Sequence, residues 1–389
     1  MTDMDIREDN AHAVAAATDI FAALHDPAVR AEPYPLLSSL RERSPYTMTD
    51  SGTVLVGRYD DAEAILRDGG LTPFQGLDAV DHQRLRRLVS KAFTPRAIAV
   101  LAPRISEIID VALTEAERRG SIDIAEDLAY PLPVTIISEW LGVPAADSAL
   151  LRDWSSLLTR TFDFDVAAKE RGRIERASAE FDGYFRELID YRRRHPGEDL
   201  LSRLVRAEED GEALTSQELL STVGTLLVAG HETTTNLISN GVLALLRNPD
   251  QLALLHADPR LSSAVVEETL RYDPPVQLVW RTAREATTVG GVPVGAGEWV
   301  LVLVGAANRD PARYADADAF RLDRRKPDHL GFSLGPHYCI GASLARLEGS
   351  LVFDAVARRL VGAELDEDSL RYRRHVTFRG PERLVVSMR

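Results

Sequence analysis

Gly331-Phe332-Ser333-Leu334-Gly335-Pro336-His337-Tyr338-Cys339-Ile340-Gly341-Ala342-Ser343-Leu344-Ala345-Arg346 holds the only cysteine of a 389-residue chain, where glycines and a proline give way to a helical run. One thiol forms no disulfide within the chain. Taken alone, such a cysteine reads as a small buried hydrophobe. Its setting points elsewhere. Gly335 and Gly341 bracket the thiol and leave no side chain where a flat ligand could approach the backbone, while Pro336 stiffens the loop. The run Ala342 to Arg358 reads as a helix, so Cys339 lies near its N-terminus. Orphan N–H groups and the positive end of the helix dipole favour a thiolate there. Zinc lacks support, because no Cys-x-x-Cys and no paired histidine accompanies this sulfur.

Working outward, apolar residues recur at three- and four-residue spacing, and the chain reads as mainly α with minor β. The longest helix is expected from Thr215, where Thr215-Ser216-Gln217-Glu218 has the form of a capping box, to about Asn248 before Pro249. Within it, Ala229-Gly230-His231-Glu232-Thr233-Thr234-Thr235 is a poor helix-forming segment, and a local conflict of that kind marks a functional site. Short strands are expected at Thr53 to Val56, Val300 to Val304 and Arg383 to Val386. The formal charge of -14 argues against nucleic-acid binding. Met1 to Ile20 is polar and acidic, so no signal peptide or membrane anchor is expected, and the localisation expected is cytoplasmic. No linker or repeat divides the chain, which reads as an N-terminal extension over 1–30 and one domain over 31–389.

The cysteine stretch resembles the haem-binding loop of the cytochrome P-450 superfamily, Phe-x-x-Gly-x-x-x-Cys-x-Gly, through Phe332, Gly335, Cys339 and Gly341. The resemblance runs from about Pro33 to the C-terminus. It implies one large helical domain with small sheets, haem b between the long oxygen-binding helix and the Cys-loop helix, and Cys339 as axial ligand to iron. Glu232 and Thr233 match the family's acid-alcohol pair, with Ala229 and Gly230 as the small residues beside the haem. The implied role is proton supply during cleavage of dioxygen. For an isolated Glu-Thr the plainer reading is a solvated carboxylate and a threonine bonded back to a helix carbonyl. His231 points away from Thr233 on a helix and reads as packed or solvent-facing.

Further motifs follow. Glu268-Thr269-Leu270-Arg271 matches the Glu-x-x-Arg of the family, and with Arg324 the resemblance implies a buried structural pair fixing the loop to Cys339. Arg321 stands where an acidic residue is more usual. His82 and Arg86, Arg281 and His337 fall at positions that hold the haem propionates, carboxylates that need cationic partners when partly buried. Arg84, Arg87, Lys91 and Arg346 form a basic patch against an acidic background, where a ferredoxin carrying electrons from NAD(P)H is expected to dock.

Between Leu66 and Asp81 the chain is shorter than is usual in this family, so the roof of the pocket is expected to be reduced, with Phe74 and Leu77 in the Leu71 to Val80 loop. Other pocket candidates are Thr225, Val228 and Ala229, then Val276, Leu278 and Val279, and Phe378. Their apolar nature suggests a lipophilic substrate, either a free small molecule or one presented on a carrier. The expectation is a monomeric haem-thiolate monooxygenase. Two alternatives stay open: the same haem performing epoxidation, aryl coupling or peroxide-driven oxygenation, and a haem protein that binds gas without catalysis.

Overall fold

The computed structural model describes residues 20–48, 52–73, 79–162, 164–209, 212–324 and 327–388. They form two compact units assembled from interleaved stretches: unit 1 takes the chain up to Ala79, Glu267–Cys339 and Arg371–Arg379, and unit 2 takes Val80–Val266, Ile340–Leu370 and the C-terminal residues from Gly380.

Unit 1 is organised by a five-stranded sheet in the order Tyr46–Thr47, Val54–Val56, Trp299–Leu303, Leu278–Ala283, Leu71–Pro73. Val54–Val56 runs parallel to Trp299–Leu303, and the remaining pairs are antiparallel. Side chains alternate across the sheet. Val54, Val56, Val300 and Val302 face one way and pack on Tyr59, Ala62, Ile65 and Leu66 of helix Tyr59–Arg67. Leu55, Leu301, Leu303 and Leu278 face the other way, against Leu37 and Leu40 of helix Tyr34–Arg43 and against Ile20 and Leu24. Covering both faces explains why these strands read as unbroken apolar runs. Ile20 is fully buried, so the packed chain of unit 1 reaches back into the stretch 1–30 set aside as an extension. A buried polar knot ties this N-terminal part down: Tyr34 Oη donates to Asp273 at 2.6 Å, Arg379 Nε donates to the same carboxylate at 2.8 Å, and the Arg309 guanidinium lies over the Tyr34 ring. Burial, reinforced by the Asp273 carboxylate, pushes the Tyr34 hydroxyl pKa well up and keeps it a donor.

Unit 2 is built around helix Ser216–Arg247. Thr215 caps it: Thr215 Oγ1 accepts from Glu218 N at 3.2 Å, and Glu218 Oε2 accepts from Thr215 N at 2.8 Å. The helix stops at Asn248 because Pro249 cannot continue it. Leu219, Val223, Leu227, Leu237, Val242 and Leu245 are buried, so the helix is apolar on more than one face and crosses the unit's core. It packs on Pro131–Leu141 and on Ala342–Arg359. A small antiparallel sheet, Glu364–Leu365, Val385–Ser387 and Ser121–Asp123, closes one side. Among the described residues no helix is long and apolar enough to cross a membrane.

Candidate active site

The cysteine loop belongs to unit 1 and is shaped by its backbone. Gly335 has φ +62°, and a Cβ there would stand 2.9 Å from Arg67 Cα. Glycine is therefore required by a close approach of the protein to itself, a different reason from the ligand approach expected from sequence. Gly335–His337 forms a single tight turn, and Cys339 N donates to Phe332 O at 2.9 Å. Gly341 begins helix Ala342–Arg359 as its N-cap, which places Cys339 just ahead of the helix N-terminus.

Glu268 and Arg271 meet as a bidentate pair, with Nε to Oε2 at 2.8 Å and Nη2 to Oε1 at 2.7 Å, both side chains buried. Arg271 also donates to the carbonyls of Asn308, Ala317 and Ala319, so its guanidinium organises the segment that leads to the loop. Arg324 Nε reaches Glu268 Oε1 at 3.1 Å as the third member. Arg321, the unusual residue, supplies only its backbone N–H to Glu268, at 2.9 Å, while its guanidinium pairs with the exposed Asp316 and Asp323. Side-chain chemistry at position 321 is thus free to vary.

Arg281 is 4 % exposed. It donates to Trp280 O at 3.0 Å and to Ser333 Oγ, in the cysteine loop, at 3.2 Å, while its Nε has no partner among the described residues. No carboxylate pairs with it among the described residues, and burial alone pulls its pKa down to about 10. A buried cation without a counter-ion is costly unless an anion joins it, and a soft sulfur ligand lies in the loop that Arg281 braces. A thiol that can ligate iron and an unpaired guanidinium suited to a carboxylate are the donor set that a haem with its propionates requires, so these residues fit that group. His337 occupies the tight turn of the same loop.

Strand alternation sorts the pocket candidates of unit 1. Val279 and Arg281 share one face of Leu278–Ala283. Leu278 lies on the opposite face, packed with Leu37, Leu301 and Leu303, and is a core residue instead of a pocket residue. Val276 and Phe378 are brought together by an isolated antiparallel bridge, reinforced by Gln277 N to Thr377 O at 2.9 Å and Arg379 N to Pro275 O at 2.8 Å. The shortened segment begins as strand Leu71–Pro73, paired with Leu278–Ala283. Phe74 and Leu77 lie outside the described residues.

In unit 2, His82 and Arg86 are half-buried on helix Ala79–Ser90. Burial, and then the Arg86 charge, lower the His82 pKa and favour a neutral ring. Along helix Ser216–Arg247, Thr225, Ala229 and Thr233 share one face by their four-residue spacing. Thr225 and Ala229 are exposed and Thr233 half-buried, although Val228, His231 and Glu232 around them are buried. Thr233 Oγ1 donates to Ala229 O at 2.8 Å. That proton is spent on the carbonyl, so the hydroxyl presents lone pairs and serves to position a donor such as water. Glu232 is 3 % exposed and therefore not the solvated carboxylate of the plainer reading; Asn236 Nδ2 approaches its Oε1 at 3.5 Å. His231 is packed: Nδ1 lies 3.0 Å from Leu227 O and 2.9 Å from Ser155 Oγ, with its ring edge-on to Tyr130.

The basic patch is altered in one member. Arg84 pairs with Glu218, the capping glutamate, and is not an open surface cation. Arg87 and Lys91 are exposed and Arg346 is half-buried.

Sequence reasoning passed over two groups. His329, whose side chain is 4 % exposed, contacts Glu267; nothing in its loop sequence sets it apart. Glu348 lies on helix Ala342–Arg359 fully buried, both oxygens without a partner among the described residues, and burial raises its pKa to about 8. That one had a signal: Leu344, Glu348 and Val352 are spaced by four, so an acid sits on the apolar stripe.

The family model described as Cytochrome P450 matches residues 76–361. The chain is 42 % identical over 363 residues to the cytochrome P450 monooxygenase PikC of Streptomyces venezuelae, covering 86 % of each. It is 35 % identical over 392 residues to the polyketide biosynthesis cytochrome P450 PksS of Bacillus subtilis, covering 92 % of this chain and 96 % of that one. Among solved structures, P450BioI in complex with an acyl carrier protein ligated to hexadec-9Z-enoic acid superposes with a TM-score of 0.88 at 35 % identity, covering 93 % of this chain and 99 % of that one. The chain belongs to the cytochrome P450 family and has its fold. It is a cytochrome P450 monooxygenase similar to bacterial enzymes, one of them named for polyketide biosynthesis, and the family implies a haem cofactor.

Proposed function

We propose that the chain inserts one atom of dioxygen into a lipophilic secondary-metabolite substrate, with electrons passed from NAD(P)H through a reductase and a ferredoxin. Haem b, when bound, supplies the activation of dioxygen, and the protein supplies binding, orientation and proton control. Cys339 would hold the iron, Arg281 and His337 of unit 1 would hold propionate, and His82 and Arg86 of unit 2 are further cations suited to that role. The observation that carries this reading is Arg281, a buried guanidinium without a carboxylate among the described residues, hydrogen-bonded to the loop of the only cysteine.

Thr233, its own proton given to Ala229 O, positions a water, and Glu232, buried one residue before it, exchanges the proton that the water passes on. This pair favours an oxygen-using enzyme over peroxide-driven or non-catalytic alternatives. In unit 1, Val276, Val279 and Phe378 offer apolar surface to substrate, and in unit 2 Val228 and Ala229 do so on the long helix. The exposed Arg87 and Lys91, joined by Arg346, steer an acidic ferredoxin. In this reading residues 31–389 act as one catalytic domain, monomeric and cytoplasmic.

The test is the ferrous carbon monoxide spectrum of the purified protein, followed by ferredoxin-coupled turnover. A thiolate-type band, with NADPH and oxygen consumed in step with product, is expected. A band of the histidine or thiol type, or turnover with peroxide alone, would overturn the reading. Free macrolide, free fatty acid and the same acyl chain on a carrier protein, titrated for the low-to-high spin change, then sort the substrate class. The carrier arm is motivated by the acyl carrier protein complex of P450BioI.

A further inference from the structure

Two adjacent glutamates on helix Ser262–Tyr272 point to different partners. Glu268 is occupied by Arg271, Arg324 and the Arg321 N–H. Glu267 Oε2 lies 3.2 Å from Nε2 of His329. The opposite ring nitrogen of that histidine, Nδ1, accepts from Gly331 N at 3.2 Å. A backbone N–H can only donate, so Nδ1 is the bare nitrogen and Nε2 carries the proton to the carboxylate. The ring is clamped at both ends with its tautomer set.

The clamp leads to the cysteine in two short steps. Gly331 is wedged: a Cβ there would stand 3.0 Å from Leu270 O and 3.3 Å from His329 Nδ1. The next residue, Phe332, is buried, lies beside the His329 ring at 5.6 Å between centroids, and accepts the Cys339 N–H at 2.9 Å. Leu330 is held by Asn308 Oδ1 at 2.8 Å, and its carbonyl accepts Ser333 N at 2.8 Å. The N–H groups of Leu330 and Gly331 are thus held by side chains of the same unit, that of Ser333 by the Leu330 carbonyl, and the Phe332 carbonyl by the Cys339 N–H.

We propose that His329, braced by Glu267, is a positioning residue for the Cys339 ligand: through Gly331 and Phe332 it fixes the backbone from which the sulfur projects. The inference rests on the reading of Cys339 as the haem ligand. Outer groups that orient a ligand without touching the metal typically govern affinity by about 10- to 100-fold. Glu268 and Arg271 secure the segment at its start, whereas His329 acts immediately before the loop.

The test compares His329→Phe, His329→Asn and His329→Gln in the full-length holoprotein. Asparagine can place an acceptor where Nδ1 lies and should keep the Gly331 bond; glutamine reaches Glu267 but loses it; phenylalanine loses both. Haem transfer to excess apomyoglobin is expected to be about tenfold faster for the phenylalanine and glutamine variants than for wild type or the asparagine variant. A growing share of the carbon monoxide complex without thiolate character should accompany it. Equal haem-loss rates and unchanged spectra in all three variants would overturn the proposal. A phenylalanine variant too unstable to purify leaves the asparagine–glutamine comparison, in which a faster loss from asparagine than from glutamine would also overturn it. A wild-type protein that shows no thiolate band would instead refute the assignment of Cys339 as ligand.

Discussion

Glu268 in unit 1 and Glu348 in unit 2 are each 1 % exposed, yet they are opposite kinds of carboxylate. Glu268 receives two bonds from Arg271, one from Arg324 and one from the Arg321 backbone, so its charge is compensated and fixed. Glu348 receives none among the described residues, and burial holds it protonated to about pH 8. Glu232, also buried in unit 2, has Asn236 Nδ2 at 3.5 Å from Oε1 and His231 Nε2 at 3.8 Å from Oε2. A carboxylate met by donors on every side acts as a structural rivet, whereas burial without donors, as at Glu348, favours the protonated form. Unit 1 uses Glu268 to fix backbone, whereas unit 2 leaves Glu348 holding a proton.

The strongest way to break that contrast is at the saturated end. Arg271→Ala leaves Glu268 with only Arg324 and the Arg321 N–H and frees three backbone carbonyls, so a loss of about 3–5 kcal/mol is expected in urea unfolding, with little folded protein recovered. A variant that melts within about 1 kcal/mol of wild type would show that the cluster is not structural.

At the other end, Glu348→Gln removes a titration. The unfolded carboxyl ionises near pH 4.5 and the folded one near 8, so in that window the native state holds a proton that the unfolded chain has released. Stability from this group is full below pH 4.5 and is lost as pH rises to 8, at up to about 1.4 kcal/mol per pH unit. The difference in stability between variant and wild type should therefore grow from pH 5 to pH 8. A difference that stays flat would mean that Glu348 is ionised and paired.

Glu232 and Thr233 sharpen the functional side. Glu232→Gln and Thr233→Ala are expected to lower product formation about 100-fold while NADPH and oxygen continue to be consumed, at less than about 1 kcal/mol in stability. Thr233→Ser, which can still bond Ala229 O, should recover part of the coupling. Consumption falling in step with product would assign the pair to substrate binding instead.

Much of this was legible in the sequence for identifiable reasons. The capping box at Thr215 and the stop at Pro249 set the long helix to within a residue, because both signals are local. The strand Val54–Val56 was legible as an apolar run because both faces of its sheet are covered. Leu278 was misplaced because alternation decides a face only once the register with Trp299–Leu303 is known. Arg84 was read as a surface cation because its partner, Glu218, is remote in sequence and was already explained as a cap. His329 was missed because its partners are a backbone N–H and a carboxylate far along the chain, neither of which leaves a pattern around it.

Arg281 inverts the comparison, being a buried cation where the other groups are buried acids. Its desolvation is offset by two hydrogen bonds and by no charge among the described residues, which is why its pKa falls to about 10. The folded state carries the cost of the charge at every pH below 10, and the cost is relieved only as pH rises above that toward the higher unfolded value. Arg281→Met keeps the length and removes the charge. It should make the haem-free protein more stable by about 1–2 kcal/mol, in the way that apolar replacement of buried ions often does, and make the haem-loaded protein less able to retain its cofactor. Melting both forms of both proteins separates the two effects. If the variant destabilises the haem-free protein, Arg281 has a structural partner and is not a reserved anion site.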